Sequence, residues 1–264
     1  MLNPWFAFHD AEVIIDAMYG DNDLDRNDLD EYIVQFRTDK DALRACVPEA
    51  YDLDEDPVVT CTFIYVCNAG VAARGECYIS AVCAAVKFDG EEKLSGDYVL
   101  VMPENKNYNV LTGRDFYGAA KIVSDVLEPA TTVDGVRCQV NGLGGEFFYS
   151  AAFGPMEEAD DETRKNLEAL LNERPLFQYK NIMDPWTGEA EVCYPVCCPA
   201  ERRIDKLWVG KEATFTAAKD MAKGWLVERQ CAIVLNTLPV KEVLGTYHIQ
   251  GNLRFLGDEF RKLQ

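Results

Sequence analysis

Between positions 58 and 88 the chain supplies Val, Ile, Tyr, Phe, Cys and Thr almost without a break, interrupted at Asn68-Ala-Gly70 and Arg74-Gly75. β-Branched and aromatic side chains suit a pleated, half-buried surface and lose rotamer freedom in a helix. The run therefore predicts neighbouring strands paired as in a hairpin. Similar stretches at 32–36, 98–102, 137–140, 146–149, 191–197, 203–209, 213–217, 233–236, 242–249 and 252–255 predict further strands. Asn141-Gly142 marks a hairpin turn, with spacing that asks for more than two loop residues. Two helices are expected. One spans 40–47, opened by a capping box at Thr38-Asp-Lys-Asp41 and closed by Pro48; the other spans 157–171, with a stripe of Leu167, Leu170 and Leu171 before Pro175. The fold class is mainly β with a few helices, and strands that do not alternate with long helices argue against a doubly wound nucleotide-binding sheet.

Residues 1–31 read as an arm, with Trp5, Phe6 and Phe8 before an acidic connection, and 32–264 as a single domain. Trp5, Phe6 and Phe8 are expected to pack on the body or on a neighbouring subunit.

Charge narrows the partners. Lys and Arg total 26 against 45 Asp and Glu, a net charge of −19, which disfavours nucleic acid and anionic lipid surfaces. No run of 18 apolar residues occurs, so no membrane span is expected. Residues 1–9 lack a basic region and a long apolar stretch, so they do not read as a secretory signal. The ten cysteines are scattered through strand-like runs, which fits reduced core thiols and a cytoplasmic protein.

Residue inventory excludes several chemistries. His9 and His248 are the two histidines, far apart and without ligand spacing, so no metal is expected. Cys193, Cys197 and Cys198 have neither C-x-x-C nor knuckle spacing, and read as core cysteines. Gly142-x-Gly144-Gly145 lacks the context of a phosphate loop, and Ser150 lies in no nucleophile elbow. His248, on an apparent strand, reads as a structural polar residue before an acid-base group.

The informative segment is Gly113-Arg-Asp-Phe-Tyr-Gly-Ala-Ala-Lys121-Ile-Val-Ser124. An amine set among small and apolar residues loses hydration, which favours its neutral, nucleophilic form. Taken alone, Lys121 reads as a surface or strand-edge lysine before a catalytic one. The segment resembles the Gly-Arg-Glu…Pro-Lys signature of the acetoacetate decarboxylase-like family, with Lys121 at the Schiff-base position. Phe36-Arg-Thr-Asp-Lys-Asp-Ala-Leu-Arg44 with Val47-Pro-Glu49, and Asn236-Thr-Leu-Pro-Val-Lys-Glu-Val243 leading to His248, are similar to the same family and occur in order over about 32–262.

The resemblance implies an antiparallel β cone or barrel around an apolar pocket, a homo-oligomer, no cofactor, and a small-molecule carbonyl substrate. It implies a lyase, foremost a decarboxylase, in which Lys121 forms a Schiff base with a keto acid or ketone. Aldolase- or dehydratase-like chemistry on a larger apolar carbonyl compound, and a non-catalytic binder, are the alternatives. Departures stand at Leu29, in place of an arginine; at Thr62 and Ile79, near the places of two glutamates; at Ala120, in place of a proline; and at Ile122, in place of a second lysine. They are expected to strip polar groups from the pocket. Glu76 and Tyr117 are candidates for acid-base work or substrate contact, and Arg114, with Asp115, for loop bracing or substrate contact.

Overall fold

The computed structural model describes residues 27–69 and 75–264. Most of the arm, with Trp5, Phe6 and Phe8, lies outside the described residues. β1 (Asp28–Arg37) is followed by α1 (Lys40–Arg44), β2 (Asp52–Leu53), β3 (Val58–Ala69), β4 (Gly75–Asp89) and β5 (Lys93–Glu104). Next come α2 (Asn107–Tyr117), β6 (Lys121–Val123), β7 (Asp125–Val126), β8 (Ala130–Thr132), β9 (Gly135–Asn141), β10 (Phe147–Phe153) and β11 (Glu157–Glu158). The remainder is α3 (Asp161–Glu173), β12 (Leu176–Met183), β13 (Ala190–Cys198), β14 (Ala200–Gly210), β15 (Ala213–Ala217), α4 (Leu226–Asn236), β16 (Glu242–Phe255) and β17 (Arg261–Lys262).

Twelve strands form the main sheet, in the order β11-β14-β16-β1-β3-β4-β5-β12-β13-β17, with β2 on β4 and β6 on β5. A second sheet runs β15-β10-β9-β7, with β8 on β9. β13 and β14 stand near opposite ends of the main order, yet Pro199 alone connects them. A one-residue connection joins them only if the sheet curls until its ends approach. Among the described residues β13 and β14 are not paired, so the sheet is curled and its ladder stays open; closure into a cone or barrel is not part of this hydrogen-bonded path. Nor is pairing wholly antiparallel, because β6 and β12 both run parallel to β5.

Alternation along the strands divides the buried side chains into two clusters. Tyr32, Val34 and Phe36 of β1 belong to one cluster, which includes Phe148 and Tyr149 of the second sheet. Leu29 and Ile33 belong to the other, with Ile64, Ile79, Met102 and Leu167 of α3. This second face carries the buried charges described below.

Several local expectations change. β1 starts at Asp28, four residues before the apolar run, because Asp28 to Glu31 pair with both β3 and β16. Asp39, not Thr38, caps α1 by accepting from the Asp41 and Ala42 amides. α3 starts at Asp161 under an Asp160 cap, and Glu157–Glu158 pair with β14 instead. Residues 233–236, expected as a strand, end α4: Ala232 and Leu235 are buried while Ile233 and Val234 are exposed, the arc of a helix lying on the body. Residues 242–255 form one strand where two were expected. No helix among the described residues is long and apolar enough to cross a membrane.

Candidate active site

Lys121 opens β6, where it pairs with Met102 of β5 in parallel register. Glu104 lies two residues beyond Met102, so the two side chains are diagonal neighbours on one face. Lys121 Nζ stands 2.6 Å from Glu104 Oε2; the lysine side chain is 17% exposed and the carboxylate 0%. The contact is electrostatic, because Oε2 has no aligned hydrogen-bond donor among the described residues. The other oxygen, Oε1, accepts from the Cys77 thiol at 3.2 Å. The amine expected in an apolar pocket thus has a buried carboxylate for company, and Glu104 is a candidate that the sequence reading passed over.

α2 holds the lysine in place. A Cβ on Gly113 would sit 2.9 Å from Lys121 Cδ and 3.1 Å from Cε, so the absence of a side chain there gives the lysine stem its path. Arg114 donates from Nη1 to the Lys121 carbonyl at 3.0 Å. Gly118 ends the helix at φ 68°, its amide bonded to the Arg114 carbonyl, while the Ala119 amide reaches the Gly113 carbonyl. Lys180 of β12 donates to the Asp115 carbonyl and, at 3.4 Å, to that of Arg114, placing a cation at the helix C-terminus. Burial pushes the Lys180 ammonium below the usual lysine range. The motif from Gly113 to Lys121 is therefore one mechanical unit: a helix, its αL cap and the strand that carries the amine.

The same face holds a second buried pair. Glu31 pairs with Ile64, Ile64 with Ile79, and Ile79 with Glu104, a straight row across four strands. With strands ~4.8 Å apart, three steps put the two carboxylates about 14 Å apart along the sheet. Arg202 of β14 donates from Nε to Glu31 Oε2 at 3.0 Å, and Thr62 Oγ1 donates to Oε1 at 2.6 Å. Glu31 is 1% exposed and Arg202 12%. The expectation that Leu29, Thr62 and Ile79 strip this face of polar groups is thus corrected. Leu29 and Ile79 are buried and apolar, but Thr62 serves a carboxylate on the neighbouring strand, and Glu31, Arg202 and Glu104 restore charge at positions the motif comparison did not reach.

The other candidates sort by face. Ile122 belongs to the cluster opposite Lys121, so its position does not adjoin the amine. Tyr117 ends α2, half-buried and edge-on to Phe260 at 4.8 Å. Glu76 lies on β4, and its side chain is outside the described residues. His248 pairs with Tyr32 across β1–β16, on the face away from Lys121. Its ring is stacked between Tyr32 at 4.2 Å and Trp208 at 4.7 Å, and Nε2 meets Asp30 at 2.9 Å. A cleft of about 450 Å³ beside this stack includes neither Lys121 nor Glu104. Cys193 is exposed beside the Tyr179 hydroxyl, whereas Cys197 and Cys198 are buried.

The family described as Acetoacetate decarboxylase (ADC) matches residues 19–262, a span that contains every element placed above. The chain belongs to the acetoacetate decarboxylase family. The acetoacetate decarboxylase of Clostridium botulinum (strain Eklund 17B / Type B) is 24% identical over 228 residues, covering 83% of this chain and 80% of its own. A solved acetoacetate decarboxylase structure superposes with a TM-score of 0.72 at 21% identity, over 90% of this chain and 88% of that one. The enduracididine biosynthesis enzyme MppR, complexed with the condensation product of pyruvate and imidazole 4-carboxaldehyde, superposes with a TM-score of 0.65 at 12% identity, over 89% and 87%. At these identities the structural likeness establishes the fold. The family is one of enzymes, and this chain is a divergent member of it.

Proposed function

We propose that the chain is a Schiff-base lyase in which Lys121 condenses with a keto acid or ketone, foremost in decarboxylation. The observation that carries this reading is the contact of half-buried Lys121 with buried Glu104, with Oε2 of the carboxylate facing the amine and lacking an aligned donor. An amine must be neutral to attack, and a carboxylate that is its nearest neighbour is the base within reach.

In this scheme Glu104 takes a proton from the ammonium and Nζ attacks the ketone carbon, giving a carbinolamine. Glu104 returns the proton to the carbinolamine oxygen, water leaves, and a protonated imine remains. The bond to the carboxylate carbon breaks, carbon dioxide departs, and its electron pair is held as an enamine. Protonation at carbon and hydrolysis release the ketone and regenerate Lys121. Arg114 acts on the backbone that carries the amine. Glu76 and Tyr117 stay candidate acid-base or substrate contacts, and no cofactor takes part.

A second reading, condensation or dehydration on a larger carbonyl compound through the same imine, draws on the buried Leu29 and Ile79 and on the condensation product bound by MppR. A third, a non-catalytic binder, draws on the ion pair itself, in which Glu104 already engages the amine. Product analysis separates the three. Wild type and Lys121→Ala are incubated with acetoacetate, with longer 3-oxo acids, and with pyruvate plus an aromatic aldehyde. Lys121-dependent carbon dioxide from a 3-oxo acid supports the first reading, a Lys121-dependent condensation product supports the second, and no turnover with any of them leaves the binder.

A further inference from the structure

We propose that Cys77 is a positioning residue for Lys121: its thiol holds the Glu104 carboxylate with Oε2 turned to the amine, and Asn109 of α2 steadies the thiol. This inference rests on the Lys121 reading above and concerns a residue that the motif comparison does not touch.

Three contacts carry it. Cys77 Sγ donates to Glu104 Oε1 at 3.2 Å, Asn109 Nδ2 approaches Sγ at 3.6 Å, and Lys121 Nζ meets Oε2 at 2.6 Å. Each side chain comes from a different element: β4 supplies the thiol, β5 the carboxylate, β6 the amine and α2 the amide. Cys77 is 3% exposed, and β4 alternation places it on the same face as Ile79, the cross-strand partner of Glu104. Among the described residues it is the hydrogen-bond donor to Oε1.

A buried thiol beside a carboxylate stays protonated, because desolvation first and the Glu104 charge second push its ionisation far above the ordinary thiol value. Cys77 is thus a donor at neutral pH and not a thiolate nucleophile. Among the described residues, Tyr108 of α2 and Cys198 of β13 are titratable neighbours of the pair, and burial foremost pushes the ionisation of both up. α2 meets the arrangement through Asn109 at the thiol, Gly113 at the lysine stem and Arg114 at the lysine carbonyl, so one rigid element sets amine and carboxylate together. Without the thiol, Oε1 loses its donor, the carboxylate is free to turn, and the base leaves its place beside Nζ.

Cys77→Ala, Cys77→Val and Cys77→Ser test this. Acetylacetone condenses with a primary amine, losing one water to form an enaminone that absorbs in the near ultraviolet, and its rate with Lys121 is the first readout. The proposal expects Cys77→Ala and Cys77→Val to form the enaminone about three- to tenfold more slowly, and Cys77→Ser, whose hydroxyl also donates, to recover most of the rate. A packing role predicts the reverse order, since a serine buried in the apolar cluster is the worst replacement there. The second readout needs no imine: competitive acetylation of Lys121 against exposed Lys93, read by peptide mass spectrometry. The Lys121 to Lys93 ratio is expected to change about three- to tenfold in Cys77→Ala, as Glu104 turns away from Nζ, and to return in Cys77→Ser. An unchanged ratio overturns the positioning role. Wild type that forms no enaminone overturns the Schiff-base reading instead, and the acetylation ratio then judges Cys77 by itself.

Discussion

Lys121 and Glu104 are diagonal neighbours across the parallel β5–β6 pair, with Nζ 2.6 Å from a carboxylate oxygen that is wholly buried. A charged pair out of water is costly unless each partner is held, and both are: Cys77 holds the carboxylate, while Gly113 and Arg114 hold the lysine. Glu104→Gln removes the proposed base while keeping the shape. Glu104→Gln is expected to slow enaminone formation with acetylacetone by about 10²-fold, the usual weight of a positioned acid-base group, with little change in the concentration dependence. Stopped-flow absorbance checks it.

Gly113→Ala separates function from stability. A helix interior favours Ala over Gly by ~1 kcal/mol, yet the new Cβ would press on the middle of the Lys121 side chain at 2.9 Å. The stem is flexible and gives way, so the melting temperature is expected to hold or rise slightly. The displaced amine is expected to lose about 10²-fold in imine formation, the scale of a 1 Å misplacement. Calorimetry and the acetylacetone rate, measured on one preparation, check both halves.

The Glu31–Arg202 pair answers to a different test. Removing the guanidinium in Arg202→Met leaves a carboxylate that is 1% exposed with Thr62 as its remaining donor. The expected cost is about 3–5 kcal/mol in urea unfolding, and adding Glu31→Gln to the same chain is expected to recover much of it, since the penalty is that of an unpaired buried charge.

The elements that sequence made legible are those with strong local signals. The apolar runs of β3 and β4, the turn at Asn141-Gly142 and the exact span of β15 follow from side-chain chemistry that acts within a few residues. α2 and the C-terminal half of α4 escaped for opposite reasons. α2 is polar, with Val110 and Gly113 its buried positions, so no apolar stripe announces it; Ile233 and Val234 look strand-like but sit on the outer side of a helix. Lys121 was singled out through its motif, whereas Glu104, Cys77, Glu31 and Arg202 converge through register. Glu104 follows Pro103 at the end of an apolar run, and nothing local distinguishes it from a turn acid. Only the pairing of Ile79 with Glu104 and of Met102 with Lys121 brings it to the amine.

Alkaline pH should weaken the fold. Burial pushes the Cys61 and Cys83 thiols well above the ordinary thiol range. A thiol that ionises later in the folded state than in the unfolded one contributes stability that is intact below the unfolded value and is lost as pH climbs toward the folded one. Urea midpoints are therefore expected to fall from pH 8.5 to 10.5 by the ordinary ionisation scale of thiols, about 8.5 in the unfolded chain. Cys83→Ala is expected to flatten that fall; an equal fall in both proteins would remove Cys83 as a contributor.

The central claim is that the Lys121 amine forms a covalent imine. Sodium borohydride is added to wild type, Lys121→Ala and Glu104→Gln in the presence of acetoacetate and of longer keto acids, followed by intact-mass analysis and peptide mapping. The account predicts one reduced adduct per wild-type chain on the peptide containing residue 121, slower accumulation in Glu104→Gln, and none in Lys121→Ala. An adduct that persists in Lys121→Ala, or a wild-type protein that binds a keto acid and is never trapped, would contradict it.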